Sequence, residues 1–491
     1  MKANSFISKS MYVRGLQCLK SLYLYKYNPE LREVDKSTQA VFDTGHKVGI
    51  LAQQLFPGGV DCGFEITNDA QKSLKLTSEA IQAGKRVIYE AAFQYNGMFA
   101  IADIMVKVRD KWNVYEVKSS TKIQDYQLND VSLQYYVING AGISIKDFSI
   151  TYINNKYVKK GDINISELFT SESVLKDILS MQNEIEPNFK LFQAALNSKK
   201  TLDIDIGPHC YDPFDCDLCN HCWKHIPEYS VFSLSNMRGK DFKLYEQGII
   251  KVKDIPDSFP LSSTQQIDVQ SHIKNKPYIN KAEISNFMKQ LEYPLYFMDF
   301  ETIQSAIPIW DNSKPYQLIP FQYSLHYKES KDSNPIHFEF LGEGNNDPRV
   351  PLIEKLLKDT KNKGTILVYN MTFEKTRLLE IARDFPQYSS KIEKLISRMI
   401  DLLVPFRSRH YYKPQMRSSA SLKSVLPAIN PKFSYRNLEI QEGGTASLEY
   451  LRMLYSKDEK EIQQIRKNLL EYCKQDTFAL IVLLKDLELI I

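Results

Sequence analysis

The chain has 491 residues, of which 43% are hydrophobic and 25% are charged, and its formal net charge at pH 7 is +4. This composition is typical of a globular protein, and no stretch of about eighteen apolar residues is present that would span a bilayer. Because 491 residues are too many for one hydrophobic core, we expect two large domains with a smaller connector. The small positive charge does not decide between a nucleic-acid-binding protein and a neutral enzyme.

The beginning of the chain, "MKANSFISKSMYVRGLQCLK", contains basic residues but no apolar run of signal-peptide length, so we expect a cytoplasmic protein. Disulfides are not expected in that reducing compartment. The stretch "CYDPFDCDLCNHCW", residues 210–223, nevertheless holds four of the seven cysteines. Such a cluster in a reduced protein indicates a bound metal or an iron–sulfur cluster. Cys216, Cys219 and Cys222 have the C-x2-C-x2-C spacing of small ferredoxins, whereas the four local cysteines together also fit a zinc site.

Polar residues occur in the first module within segments that otherwise have buried patterns. A helical face is predicted around "FDTGHKVGILAQQLF", a strand ends in "GMFAIAD", "KWNVYEVKSS" alternates as a strand, and "DVSLQYYV" is predicted to start a helix. Two carboxylates at neighbouring strand ends hold a divalent cation, and a lysine two residues later shares their face. The polar residues concerned are His46, Asp103, Glu116, Lys118, Gln134 and Tyr135.

The order His, Asp, Glu-x-Lys and Gln-Tyr resembles the RecB-like branch of the PD-(D/E)XK nuclease superfamily. The resemblance implies a restriction-endonuclease-like domain over residues 1–224, with Mg²⁺ or Mn²⁺ held by His46, Asp103 and Glu116. Lys118, Gln134 and Tyr135 would then be catalytic. Some members carry a [4Fe–4S] cluster, and the matching cysteines here are Cys18, Cys210, Cys216 and Cys222, with Cys219 as an alternative ligand. Zn²⁺ held by the four local cysteines alone, or together with His209 or His221, is the main alternative.

The rest of the chain divides into two parts. Residues 225–290 contain two helices around a glycine stop, which predicts a helical connector. From residue 291 onwards we expect three strands, in "PLYFMDFETI", "FQYSLHYKE" and "HFEFLGEG". A helix in "DPRVPLIEKLLKDTKNKG", a strand in "TILVYN" and a closing helix beginning at "IQQIRKNLLEY" follow. This order predicts a mixed sheet with helices packed against it, in an α/β multidomain protein.

Acidic residues recur at set spacings in this last part. Asp299 and Glu301 lie two apart on a strand and therefore on one face. Tyr472 and Asp476 lie four apart on the closing helix, again on one face. Glu374 follows the strand that ends near Asn370. Several carboxylates of this kind are needed where two cations lie a few ångströms apart, because the cations repel each other unless negative charge neutralises them.

In this order the residues resemble the DnaQ-like, or DEDD, 3′–5′ exonucleases of the ribonuclease H-like fold, in the class with tyrosine in the last motif. The resemblance implies that Asp299, Glu301, Glu374 and Asp476 hold Mg²⁺ or Mn²⁺ and that Tyr472 orients the attacking water. Glu374 departs from the aspartate of the family pattern, which puts activity at this centre in doubt. Asp401 is a possible substitute acid or a helix N-cap, and Lys423 is a candidate phosphate contact.

The order of the two modules, a RecB-like nuclease followed by a DEDD exonuclease, resembles that of a bacterial family in which the same two domains are fused. The two resemblances predict a metal-dependent nuclease with two centres, acting on DNA single strands or ends in repair or in defence against foreign DNA. An RNA-directed 3′–5′ exonuclease uses the same carboxylates and remains an alternative. A nucleic-acid-binding scaffold with one or both centres inactive, and a zinc-stabilised scaffold of a larger complex, are further alternatives. No membrane partner is expected.

Overall fold

The chain is a mixed α/β multidomain protein, as predicted, with two compact units. The computed structural model describes residues 6–33, 35–63, 69–344, 346–433 and 438–491. The first unit comprises Met1–His225 and Ser305–Tyr316, and the second comprises Ile226–Gln304 and Gln317–Ile491. Within the described residues, no helix is both long enough and apolar enough to cross a membrane.

The first unit contains a seven-stranded sheet and helices on both sides of it. Its strands are β1 (Ile7–Ser8), β2 (Val60–Asp61), β3 (Val87–Tyr95), β4 (Met98–Val108), β5 (Lys111–Lys118), β6 (Ile145–Ile153) and β7 (Phe169–Ser173). Its helices are α1 (Lys9–Gln17), α2 (Leu19–Tyr27), α3 (Lys36–Ala52), α4 (Ala70–Gln82), α5 (Asp125–Gly140), α6 (Ile165–Leu168), α7 (Leu175–Ser180), α8 (Gln182–Leu196) and α9 (Cys219–Cys222).

The strand order of this sheet is β2-β3-β4-β5-β6-β7, with β1 paired to β4. Pairs β3–β4, β4–β5 and β6–β7 are antiparallel, whereas β2–β3, β5–β6 and β1–β4 are parallel. Alternate residues of β4 point to the same face of the sheet. On that face Met98, Ala100 and Ala102 belong to the same hydrophobic core as Val131 and Val137 of α5. The parallel β5–β6 pair needs a crossover, and α5 supplies it.

Two local predictions in this unit are wrong. Asp103 does not end a strand, because β4 continues to Val108 and its later residues pair with both β3 and β5. Gln134 and Tyr135 do not start a helix but lie in the second half of α5. That helix begins earlier because Gln124 and Gln127 form a capping box at residue 125.

The second unit contains a five-stranded sheet, a two-stranded sheet and the longest helix of the chain among the described residues. Its strands are β8 (Tyr278–Ile279), β9 (Leu295–Ile303), β10 (Ile319–Lys328), β11 (Ile336–Leu341), β12 (Thr365–Val368), β13 (Met399–Asp401) and β14 (Tyr411–Tyr412). Its helices are α10 (Lys240–Glu246), α11 (Ser263–Lys274), α12 (Lys281–Met288), α13 (Arg349–Asp359), α14 (Met371–Asp384), α15 (Ser389–Ile396), α16 (Val404–Arg407), α17 (Leu422–Ile429), α18 (Gly443–Tyr455) and α19 (Glu459–Ile490).

The larger sheet has the order β11-β10-β9-β12-β13. Strands β11, β10 and β9 are antiparallel neighbours, and β9, β12 and β13 are parallel. The predicted mixed sheet is therefore confirmed, together with the predicted strands and the long closing helix. The predicted connector, residues 225–290, contains α10, α11 and α12, and all of it except His225 belongs to the second unit.

The two faces of strand β9 have different partners. Tyr296, Met298 and Phe300 point into a core shared with α13, α14 and α15. Asp299 and Glu301 alternate with them and therefore point to the other face, where α18 and α19 contact β9. The acidic pair thus lies on the side of the sheet that the closing helix covers.

Candidate metal centres

Glu116 is the most heavily bonded carboxylate of the first unit's polar cluster. It lies on β5, and only 1% of its surface is exposed. Its Oε1 accepts hydrogen bonds from Lys118 Nζ at 2.7 Å and from Lys9 Nζ at 2.6 Å. Its Oε2 accepts one from Gln134 Nε2 at 2.8 Å. The structure thus brings together Glu116, Lys118 and Gln134, which the sequence pattern singled out, and adds Lys9.

A second carboxylate, Asp130, completes this network. Its Oδ2 lies 2.5 Å from Lys118 Nζ and 3.7 Å from Lys9 Nζ. Two ammonium groups and two carboxylates therefore alternate, which offsets the cost of burying each charge. Sequence reasoning missed both Lys9 and Asp130. A signal for Asp130 was available, because it precedes Gln134 by four residues and so lies on the same face of α5.

Asp103 lies where two paired strands separate. The β4–β5 ladder runs from Val108 and Lys111 to Ile104 and Tyr115 and stops there. Beyond this point Asp103 Oδ2 accepts a hydrogen bond from the backbone N–H of Val117 at 2.6 Å. The carboxylate replaces a strand partner and stands beside Glu116, whose charge contributes to raising the pKa of Asp103. Asp103 and Glu116 therefore lie close enough to repel each other.

Glu90 is a further acid of this cluster that sequence reasoning missed. It lies on β3 between Tyr89 and Ala91, which pair with Ile104 and Ala102, so it stands opposite Asp103. Its φ of 51° is in the left-handed region, which is costly for a residue with a side chain. Nothing in a single sequence signals such a distortion.

Burial and repulsion set the protonation of these acids. Burial first, and then the charges of Asp103 and Glu116, raise the pKa of Glu90 to about 8. Burial and Glu116 likewise raise the pKa of Asp103. Burial alone would raise the pKa of Glu116, but Lys118 and Lys9 outweigh burial and lower it. Glu116 is therefore ionised. Glu90 and Asp103 have raised pKa values, and a further cation beside them would stabilise their ionised forms.

His46 and Tyr135 complete the predicted N-terminal set. His46 lies on α3 with its side chain exposed, two residues before Val48, which packs into a core cluster with Ile104. Tyr135 is partly buried on α5 and packs against the main core of the unit. The roles predicted for these two residues stay predictions.

The oxygen donors of this cluster fit a divalent cation. Carboxylates are the ligands that Mg²⁺ and Mn²⁺ prefer. Asp130 Oδ1 and Gln134 Oε1 are buried and have no hydrogen-bond partner among the described residues. Unpaired buried acceptors are rare and costly in folded proteins, and a bound ion or an ordered water relieves that cost.

The predicted cysteine ligands converge on one cavity. Cys18 follows α1, and the other four lie on the segment 210–222. A cavity of about 20 Å³ is lined by Cys18, Cys210, Cys216, Cys219 and Cys222. The two ends of the unit are also held by Asp217, which accepts hydrogen bonds from Arg14 at 2.7 Å and from Arg32 at 2.6 Å.

Three of the thiols around this cavity, those of Cys18, Cys219 and Cys222, are harder to ionise than an ordinary thiol. Burial, followed by the neighbouring Cys216 and Cys210, raises the pKa of Cys219 to about 12. Burial also raises the pKa of Cys18 and of Cys222. Thiolates are the soft ligands that iron–sulfur clusters and zinc require, and a bound metal ionises them outright. The donor set fits both predicted occupants, and the choice among the ligands stays open.

In the second unit the predicted acids of β9 lie in one buried cluster. Ligand atoms of Asp299, Glu301 and Cys473 all lie within 4.8 Å of one another. Cys473, for which the sequence pattern assigned no role, is fully buried on α19 and belongs to this group. A signal was available, because Cys473 directly follows Tyr472 and precedes Asp476 by three residues on the same helix.

The closing helix supplies the other acid of this cluster. Asp476 and Tyr472 are both buried on α19. Burial and the charge of Asp476 raise the pKa of Asp299 well above its ordinary value. Burial, Asp299 and Asp476 raise the pKa of Glu301 in the same way. Asp299, Glu301 and Asp476 therefore lie close enough to repel one another in a place with little water.

Glu374 is also buried, with 2% of its surface exposed, near the start of α14. Burial first, then Asp299 and Asp401, raise its pKa to about 9. Its Oε2 has no hydrogen-bond partner among the described residues. The longer Glu374 side chain therefore still lies close enough to Asp299 for the two charges to interact, and carboxylate oxygens of this kind are the ligands that divalent cations prefer.

Asp401 and Lys423 border this cluster. Asp401 is the last residue of β13, and its Oδ1 accepts the backbone N–H groups of Asn370 at 2.9 Å and Leu403 at 3.0 Å. It thus holds the chain where β12 leads into α14, and it does not cap α16, whose N-cap is Leu403. Lys423 Nζ lies 5.5 Å from the centre of the Tyr472 ring. It is a cation beside the acids.

Comparison with known proteins gives a family match for part of the second unit. Residues 296–421 match the model of a family described as "Domain of unknown function (DUF2779)". The matched segment includes Asp299, Glu301, Glu374 and Asp401, and it ends before α19.

Relatives are found in species of Mycoplasma and Ureaplasma. The chain is 31% identical over 219 residues to "Uncharacterized protein MG366 homolog" of Mycoplasma pneumoniae, covering 40% of this chain and 32% of the relative. It is 26% identical over 395 residues to "Uncharacterized protein UU173" of Ureaplasma parvum, covering 75% of this chain and 53% of the relative. The matches thus span about a third and about half of these curated relatives. A solved structure described as "Crystal structure of SSO0001" matches 46% of this chain and 88% of that chain, at 12% identity and a TM-score of 0.22.

Proposed function

We propose that the protein is a metal-dependent nuclease that hydrolyses DNA phosphodiester bonds, on single strands or ends, at two separate centres. The observation that carries the proposal is the buried group of Asp299, Glu301 and Asp476, in which burial and mutual repulsion raise the pKa of the first two acids. Acids held this close in a buried place are stable together when cations neutralise them. Two-cation carboxylate sites of this kind serve phosphoryl transfer.

At the C-terminal centre we assign the roles by position. The ions would be held by Asp299, Glu301, Glu374 and Asp476. When bound, such ions polarise the phosphate and lower the pKa of a bound water. The Tyr472 hydroxyl would orient the attacking water, since burial and the neighbouring acids raise its pKa and keep it protonated. Lys423 would contact the phosphate. The domain would be of the ribonuclease H-like, DEDD type.

At the N-terminal centre Asp103 and Glu116 would hold a divalent ion, together with His46. Lys118 stays protonated because Asp130 and Glu116 raise its pKa despite burial. It therefore acts as a fixed positive charge that stabilises charge developing on phosphorus, not as a general base. Gln134 holds Glu116 in place through its amide. The domain would be of the PD-(D/E)XK type, with the cysteines holding an iron–sulfur cluster.

The experiment is a paired assay with 5′- and 3′-labelled DNA in Mg²⁺ or Mn²⁺. Lys118→Ala and Asp299→Asn should each remove one of two separable cleavage activities, and the double variant should remove both. Lys122→Ala and Asp257→Asn change exposed residues and serve as matched controls. If the double variant gives the product ladder of the unchanged protein, both centres are wrongly assigned. Cleavage of RNA in preference to DNA of the same sequence would move the proposal to an RNA-directed exonuclease, and binding without cleavage would move it to a nucleic-acid-binding scaffold.

A further inference from the structure

A groove with a strong positive charge lies on the second unit. It has a volume of about 940 Å³ and runs along α13 and α15. Its cationic lining residues, which define the basic groove, are Lys358, Lys361, Lys391, Lys394 and Arg398. We propose that the basic groove binds the sugar–phosphate backbone of a nucleic acid strand. This inference rests on the proposed nuclease function and adds a binding site outside both centres.

The basic groove is on the opposite side of the sheet from the C-terminal centre. Leu352, Ile353 and Leu356 of α13 pack in the core that receives Tyr296 and Met298 of β9. Asp299 and Glu301 point to the other face of that strand. A strand bound in the groove would therefore be held away from the reacting atoms, so that the groove contributes to binding and not to the chemical step.

Two of the cations are held in place by the fold. Arg398 donates from Nη1 to the carbonyl of Lys363 at 2.6 Å and from Nη2 to the carbonyl of Lys361 at 3.1 Å. Lys361 has a φ of 46°, and its Nζ lies 5.0 Å from the centre of the Tyr327 ring. These contacts fix the loop between α13 and β12, and less side-chain freedom is lost when a ligand binds.

The charges of the groove are poorly compensated. Lys358, Lys361, Lys391 and Lys394 are exposed, and none of the four forms a salt bridge within the described part of the chain. The one carboxylate of the lining belongs to Glu354, which accepts a hydrogen bond from the Tyr388 hydroxyl. Because five cationic side chains face one carboxylate, the basic groove has a positive electrostatic potential that attracts a polyanion.

A nucleic acid fits the lining better than an acidic protein does. The aliphatic side chains of the groove are Leu357 and Leu395, of which the second is buried in the core, and Tyr388 is the one aromatic residue of the lining, with its hydroxyl bonded to Glu354. Stable protein interfaces need a larger apolar or aromatic centre. Lysines on flexible stems act as point charges and suit a row of phosphates, where counterion release drives binding without base contacts.

The test uses the full chain with Lys358→Gln, Lys391→Gln and Lys394→Gln combined. Fluorescence anisotropy of a labelled single-stranded oligonucleotide, measured without added divalent cation over a series of salt concentrations, gives the dissociation constant and its salt dependence. Loss of three phosphate contacts should weaken binding by about tenfold or more at low salt and should reduce the salt slope by about two. The combined variant Lys253→Gln, Lys281→Gln and Lys289→Gln removes the same charge from exposed positions of the same unit.

Several outcomes would overturn the inference. If the groove variant binds like the control variant while the unchanged protein still cleaves DNA, the groove is not a nucleic-acid site and the proposed function stands. If poly-glutamate competes as well as an oligonucleotide of equal charge, the groove fits an acidic protein partner instead. If the unchanged protein neither binds nor cleaves nucleic acid, the proposed function itself fails. The three single variants at Lys358, Lys391 and Lys394 repeat the measurement with a smaller change of charge should the triple variant not fold.

Discussion

Nζ of Lys9, the first residue of α1, lies 2.6 Å from Oε1 of Glu116 near the end of β5. A residue from the first helix thus belongs to the N-terminal polar cluster. Strand β1 makes this contact possible, because its parallel pairing with Met98 and Phe99 of β4 sets where α1 starts. The amino-terminal segment is therefore part of the centre.

Lys9→Ala should lower the free energy of unfolding by about 1–3 kcal/mol, because the buried Glu116 loses a charge-assisted hydrogen bond. Urea denaturation at neutral pH gives the difference from the unchanged protein. Lys72→Ala, at an exposed position of α4, should change stability by no more than about 0.5 kcal/mol. Equal stability of the two variants would show that the contact contributes nothing.

Glu374→Gln should leave the free energy of unfolding within about 1 kcal/mol in the absence of metal, because a raised pKa of about 9 already keeps this carboxyl protonated near neutral pH. The same change should weaken Mn²⁺ binding by about tenfold or more, since an amide cannot supply the charge that the ion attracts. Calorimetric titration with Mn²⁺ measures the affinity, and Glu380→Gln on the same helix is the control. Unaltered Mn²⁺ affinity would remove Glu374 from the ligand set.

Anaerobically purified protein should be brown, and Cys18→Ala should bleach it, because this thiol closes the cavity from the distant end of the unit. Visible absorbance and iron content measure the loss. Cys219→Ala compared with Cys216→Ala decides which of the two is a ligand. Cys62→Ala, at a buried cysteine that does not line the cavity, should keep its colour. Colourless protein with one zinc ion per chain would replace the cluster with the zinc alternative.

Two histidines, the buried His326 and the partly buried His337, should make the second unit sensitive to acid. Burial, with the neighbouring positive charges adding to it, lowers the pKa of His326 to about 3 and of His337 to about 4, from an ordinary value of 6.5. Between the lowered pKa values of the folded chain and the ordinary value of 6.5, these histidines bind more protons in the unfolded chain than in the folded chain. Their contribution to stability is therefore complete above pH 6.5 and is lost as the pH falls toward 4.

Urea denaturation at pH 7 and pH 5 tests this dependence. His326→Gln with His337→Gln should reduce the loss of stability between the two pH values. The acids with raised pKa act in the opposite direction, and the comparison of variant with unchanged protein cancels them. An equal loss in both proteins would show that the histidines do not cause the sensitivity.

Much of the second unit was predictable from local patterns. Alternation in "PLYFMDFETI" placed Asp299 and Glu301 on one face, and the four-residue spacing placed Tyr472 and Asp476 together on the closing helix. These spacings are set by strand and helix geometry, so they hold wherever the elements pack.

The remaining site residues depend on tertiary contacts that a single sequence does not contain. Glu90 enters the N-terminal cluster through a left-handed backbone conformation, and Lys9 enters through the pairing of β1 with β4. Asp103 was misplaced at a strand end, because the separation of β4 from β5 occurs within a continuous strand and leaves no break in the hydrophobic pattern. Cys473 was missed because a buried cysteine is commonly simple packing.

Helix α1 carries Lys9 at its first residue and is followed directly by Cys18. A helix of nine residues is a rigid rod about 13 Å long. Because the same nine residues place Lys9 against Glu116 and Cys18 against the cysteine-lined cavity, a substitution that shifts α1 should disturb both places at once.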